Sequence, residues 1–108
     1  MSFFGNLFGG GQTNENLVNL INEGAFLVDV RSPVEFAGGS AKGAVNIPLD
    51  NITQQIKKFE GKNNIVVFCR SGNRSGQAKS ILEQKGIKNV VNGGTWEQVN
   101  AIVSNQLK

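Results

Sequence analysis

Ile65-Val66-Val67-Phe68-Cys69-Arg70-Ser71-Gly72-Asn73-Arg74-Ser75-Gly76 is the segment from which the rest of the chain can be read. It opens as a run of β-branched and aromatic residues, the pattern of a buried strand. The run ends in Cys69, the only cysteine present, and Arg74 follows five residues later. Ser75 is placed to cap a helix predicted over 76–85, where Ala78, Ile81 and Leu82 recur at helical spacing before Gly86 stops the pattern. A strand that ends in cysteine and turns at once into a helix N-terminus offers inward-facing amides and the positive end of a helix dipole to an anion. Arg70 and Arg74 add full charge. The same field lowers a thiol's pKa and favours thiolate, the nucleophilic form.

Upstream, Thr13 is expected to cap a helix over 14–22, with Leu17, Leu20 and Ile21 on one face and Gly24 as its stop. The apolar run 25–30 reads as a central strand. Ser32-Pro33-Val34-Glu35 fits a capping box with proline at the first helical position, and Gly38-Gly39 keeps that helix short. Residues 43–48 predict a short strand ended by Pro48, and 51–59 a helix with Ile52, Ile56 and Phe59 inward. Downstream, 88–91 reads as a last strand, Gly93-Gly94 as a turn, and 95–106 as a closing helix with Trp96, Val99, Ile102 and Val103 inward. Strands alternating with helices predict an α/β fold, a small parallel sheet covered by helices on both faces. Ligands of such sheets sit beyond the carboxyl ends of the strands. Cys69, the segment Asp29-Val30-Arg31 and the segment from Asn92 to Thr95 are expected to converge there.

Composition bounds the function. A chain of 108 residues with 39% hydrophobic and 18% charged residues makes one small globular domain. A net charge of +3, without a basic stripe interleaved with aromatics, argues against a nucleic-acid surface. One cysteine forms no internal disulfide, and with no histidine in the chain neither a metal site nor a Cys-His pair is expected. Residues 1–12 hold three phenylalanines and a leucine but no lysine or arginine, a poor signal peptide. They are expected to be a flexible apolar tail ahead of a domain over 13–108, packing a Phe or two on its body, with a weak interfacial anchor or dimer contact as the rival reading. No transmembrane run is present, so a cytoplasmic location is the default.

Four motifs in register carry a resemblance: Phe26-Leu27-Val28-Asp29-Val30-Arg31-Ser32-Pro33-Val34-Glu35-Phe36, the segment from Gly43 to Pro48, Cys69-Arg70-Ser71-Gly72-Asn73-Arg74-Ser75, and Asn92-Gly93-Gly94. Together they resemble a single-domain rhodanese, and Ser75-Gly76-Gln77-Ala78-Lys79 is similar to the phage-shock protein E type of that family. The resemblance implies a thiosulfate sulfurtransferase needing no cofactor. Cys69 would take a sulfane sulfur from a donor such as thiosulfate and pass it to cyanide or a thiol. Which donor and acceptor serve the protein stays open at this point, among thioredoxin, glutathione, cyanide and a sulfur-relay protein. Arg70 and Arg74 match the family's two loop arginines, and the main chain from Arg70 through Ser71, Gly72, Asn73 and Arg74 to Ser75 would cradle the added sulfur. Two departures stand out: Gly39-Ser40-Ala41 where many relatives have Gly-His-Ile, and Gln98 where many have tryptophan, with Trp96 two residues earlier.

The residue types suit that chemistry. A free thiol has a pKa of about 8.5, which cations and a helix N-terminus lower by one to several units. The Arg74 fork suits two oxygens at once, and Arg70 is expected at the mouth of the loop. Gly72 lets the main chain approach the anion closely or take a positive φ, and the Ser71 and Ser75 hydroxyls can donate to thiolate or persulfide. Asp29 is assigned a structural role on main-chain amides or on Arg31, because a carboxylate beside the thiolate would raise its pKa. Arg31 and Glu35 are expected to form a local pair. Two rivals remain. A cysteine phosphatase or arsenate reductase would carry a C-x5-R loop, one residue longer, and only Asp50 offers itself as general acid. A non-catalytic binding module would not need both arginines and the cysteine.

Overall fold

In the computed structural model, which describes residues 10–106, the chain runs α1 (Gly10–Asn22), β1 (Phe26–Asp29), α2 (Pro33–Ala37), β2 (Val45–Asn46), tight 3₁₀ turns over Leu49–Asn51 and Thr53–Phe59, β3 (Ile65–Cys69), α3 (Asn73–Gln84), β4 (Val90–Thr95) and α4 (Trp96–Gln106). The strands form one parallel sheet in the order β2-β1-β3-β4. Parallel neighbours need crossovers, which the intervening helices supply. β3 is buried at every position because both its faces are covered. Side chains alternate between those faces. Val28, Ile65, Val67 and Cys69 meet Ile52, Phe59, Ala78 and Leu82 on one. Leu27, Val66 and Phe68 meet Leu17 of α1 and Val99 and Ile102 of α4 on the other.

The capping box forms as read. The Glu35 amide donates to Ser32 Oγ at 3.3 Å, the Ser32 amide donates to Glu35 Oε1 at 3.1 Å, and Pro33 opens the helix. Other boundaries move. α1 begins at Gly10, so Thr13 lies inside it rather than capping it. Gly10 and Gly11 have poor helix propensity, which is why the periodic signal stops short of them. Of the tail expected over 1–12, residues 1–9 lie outside the described residues. The helix expected over 51–59 is 3₁₀ and kinked at Gln55 (φ −113°, ψ 22°). The tighter winding lets both Ile52 and Phe59 reach the core between Pro48 and Gly61.

Gly93 and Gly94 do not form a turn. They continue β4, whose register steps from Val67↔Asn92 to Phe68↔Gly94 and leaves Gly93 as an extra residue. A Cβ at Gly93 would lie 2.8 Å from Val66 Cγ1 and 3.0 Å from Val99 Cγ2, so only glycine lets the strand pass so close to its neighbours. The strand therefore runs on to Thr95, whose Oγ1 accepts from the Gln98 amide at 3.1 Å and closes the first turn of α4. Among the described residues no helix is long and apolar enough to cross a membrane.

Candidate active site

Cys69 ends β3 on the sheet face covered by α3, with 1% of its surface exposed. Gly72 then turns the chain with a left-handed φ of 94° and serves as N-cap of α3. That turn aims the Gly72 amide back at the sulfur, donating to Cys69 Sγ at 3.0 Å. The helix thus begins at Asn73, and Ser75 is not its cap but a buried residue of its first turn. Glycine at 72 adopts the positive φ that shortens the entry, which spacing to Ser75 alone does not reveal. Ser75 Oγ lies 3.4 Å from Cys69 Sγ. Burial pushes the Cys69 thiol up, yet hydrogen bonds from the Ser75 hydroxyl and amide and from the Ser71 and Gly72 amides outweigh it and hold the thiol below its ordinary value. Arg70, Ser71 and Asn73 are exposed around the rim.

The arginines play a smaller part than their charge promises. Arg74 makes a bidentate pair with Glu35 of α2, Nη1 to Oε1 at 2.8 Å and Nη2 to Oε2 at 3.0 Å. The expected Arg31–Glu35 pair does not form. Arg31 precedes the helix cap, so the four-residue spacing does not place the two on one helical face. The Arg74 guanidinium, aided by the Ser32 amide, holds the Glu35 carboxyl far below the usual carboxylate range. Glu35 in turn raises Arg74, and the nearby Cys69 sulfur adds to that rise. The cup is thus polarised by the Ser75 hydroxyl together with the loop amides, with Arg74 largely balanced by its carboxylate.

Asp29 has the structural role read for it. It is fully buried at the end of β1 and accepts four hydrogen bonds from Arg31: the amide to Oδ1 at 2.9 Å, Nε to Oδ1 at 2.9 Å and to Oδ2 at 3.0 Å, and Nη2 to Oδ2 at 2.7 Å. Ser40 Oγ donates to the same carboxylate at 2.7 Å. Arg31 also donates to the Gly39 carbonyl at 2.6 Å and lies 5.1 Å from the Trp96 ring centroid. Gln98 Nε2 donates to the Gly93 carbonyl at 2.8 Å.

Of the strand ends expected to converge, that of β4 reaches the loop through Asn92 and that of β1 through Glu35 of the following helix, while the Asp29–Arg31 pair joins other parts of the fold. Asn92 Nδ2 donates to the Gly72 carbonyl at 3.0 Å, and Oδ1 accepts from Ser75 Oγ at 2.7 Å and from the Gly94 amide at 2.9 Å. The sequence pattern places Asn92 just past a strand ending at residue 91, whereas it lies within β4, and its grip on the loop was not legible.

Comparison with known proteins agrees with this geometry. The description "Rhodanese-like domain" matches residues 13–98. The chain is 41% identical over 74 residues to the thiosulfate sulfurtransferase PspE of Escherichia coli, covering 67% of this chain and 71% of that protein. It is 36% identical over 84 residues to a putative mitochondrial thiosulfate sulfurtransferase of Schizosaccharomyces pombe, of which it spans only 59%. A rhodanese-related protein from Thermoplasma volcanium superposes with a TM-score of 0.68 at 31% identity, covering 82% of this chain and 86% of the other. The chain belongs to the rhodanese-domain sulfurtransferase family.

Proposed function

We propose that this protein carries a sulfane sulfur on Cys69 as a persulfide, accepting it from thiosulfate or a similar donor and delivering it to cyanide or a thiol. The Cys69 thiolate attacks the outer sulfur of thiosulfate. The S–S bond of the donor breaks, its electron pair leaves on sulfite, and a Cys69 persulfide forms. Cyanide or an acceptor thiolate then attacks the outer sulfur, and Cys69 leaves as thiolate. Neither step needs a general base once the thiolate is formed, which suits a chain without histidine. In this reading the amides from Ser71 to Ser75 hold the added sulfur. Arg74, which also lines the cleft beside Val30, Pro33 and Leu49, meets the donor's oxygens together with Arg70 at the rim. The single free thiol suits a reducing compartment, and the cytoplasm belongs to the same reading.

The observation that carries this proposal is the Gly72 amide aimed at Cys69 Sγ at 3.0 Å on the floor of a loop of donors. Incubation with thiosulfate followed by intact-mass measurement is expected to show a gain of one sulfur, removed by cyanide or a thiol and absent in Cys69→Ala. No adduct with thiosulfate or any other sulfane donor, or turnover of a phosphoester instead, overturns it.

A further inference from the structure

Ser75 has one hydroxyl proton and two neighbours that can receive it. One is Cys69 Sγ at 3.4 Å, and the other is Asn92 Oδ1 at 2.7 Å. The direction of the Asn92 amide is set by its other partners. Oδ1 accepts from the Gly94 amide at 2.9 Å, and Nδ2 donates to the Gly72 carbonyl at 3.0 Å. An oxygen therefore faces Ser75, and that oxygen only accepts. The short contact places the Ser75 proton on Asn92, which leaves Ser75 Oγ as an acceptor for the Cys69 S–H. When Cys69 ionises, the sulfur has no proton to give and becomes the stronger acceptor. The hydroxyl must then leave Asn92 to serve it.

We propose that Asn92 is a positioning residue that holds the Ser75 proton away from sulfur while Cys69 is a thiol and competes for it once Cys69 is thiolate or persulfide. This rests on Cys69 being the nucleophile of the proposed function. The strand register makes it possible: Asn92 pairs with Val67, ahead of the bulge, and so points to the α3 side of the sheet, where Ser75 lies. The charged groups around the sulfur are accounted for separately. Arg74 is paired with Glu35 of α2, and Asp29 with Arg31 at the end of β1. Arg70 on the loop, Asp50 on the 3₁₀ turn and Glu97 of α4 are exposed, and β4 contributes the neutral Asn92. The competition is therefore between a neutral amide and the sulfur for a single proton.

The sign of the effect separates this role from simple support of the loop. Losing support would disorder the Gly72 amide and raise the pH at which Cys69 becomes reactive. Losing a competitor would lower it. Iodoacetamide alkylation of the full chain against pH reads only Cys69, because there is no other cysteine. Asn92→Ala is expected to lower the midpoint, so that alkylation below the wild-type midpoint accelerates roughly three- to tenfold, the worth of one released hydrogen bond. In a Ser75→Ala background the same substitution is expected not to lower the midpoint, since only the loop contact to the Gly72 carbonyl is then lost. A raised or unchanged midpoint in Asn92→Ala, or an equal shift without the Ser75 hydroxyl, overturns the proposal. If Asn92→Ala does not fold, the wild type still decides. The side-chain carbonyl carbon signal of Asn92 is expected to move with the Cys69 midpoint and to stay still in Ser75→Ala; no movement in wild type overturns the proposal. Persulfide formation in wild type tests the sulfurtransferase reading independently, so failure of either is distinguishable from failure of the other.

Discussion

Glu35 closes the capping box of α2 with Ser32 and, with the same carboxylate, clamps Arg74 beside the candidate nucleophile. Its two duties make opposite predictions for its partner and itself. Arg74→Ala leaves an unbalanced carboxylate near the sulfur and is expected to move the Cys69 alkylation midpoint up. Glu35→Gln frees the guanidinium and is expected to move it down. Each shift should be less than about one pH unit, because the pair is partly exposed and screened. In wild type the midpoint should lie below that of a free cysteine, while burial of Cys69 keeps the limiting alkylation rate low. The pH sign for Glu35 follows from its depressed carboxyl: the tie contributes in full above the ordinary value of 4.5, its contribution fades steadily as pH falls below that value, and it is gone once pH passes the much lower folded value. Arg74 was legible as a cation five residues from Cys69. Its clamp was not, because a pairing 39 residues apart is a product of β1 and β3 lying side by side.

At the scale of elements, the sequence pattern located every strand and helix of the sheet but misplaced the edges where glycine changes the geometry. Gly72 reads as a loop residue, yet its positive φ brings α3 forward to Asn73 and Ser75 into the cup. Gly93-Gly94 reads as a turn, because paired glycines usually are, yet tertiary packing draws them into β4. Glycine's freedom allows the positive φ at Gly72, but its consequence for the start of α3 depends on a hydrogen bond to sulfur, and the extension of β4 depends on the side chains of Val66 and Val99. The bulge supplies its own test. Gly93→Ala forces a methyl against Val66 and Val99 and is expected to cost about 1–3 kcal/mol, read as a lower urea midpoint and Tm. An unchanged Tm would mean that the two strands have room to part.

At the scale of the whole molecule, the Asp29–Arg31 pair joins the end of β1 to the loop at Gly39 and Ser40 and to Trp96 at the start of α4. Both partners are almost fully buried, so removing one strands the other. Arg31→Met is expected to destabilise the fold by about 3–5 kcal/mol in urea unfolding, and Asp29→Leu added to it should recover part of that loss. If Arg31→Met unfolds at the wild-type urea concentration, the pair is not holding these segments together. The donors around Cys69 lie outside this pair: apart from the Ser75 hydroxyl they are the amides of Ser71, Gly72 and Ser75, which belong to the peptide backbone. On the proposed reading, substitution of the exposed Ser71 and Asn73 side chains would alter what meets the rim without removing the amide donors beneath it. A lineage built on such a floor changes its clients more readily than its reaction.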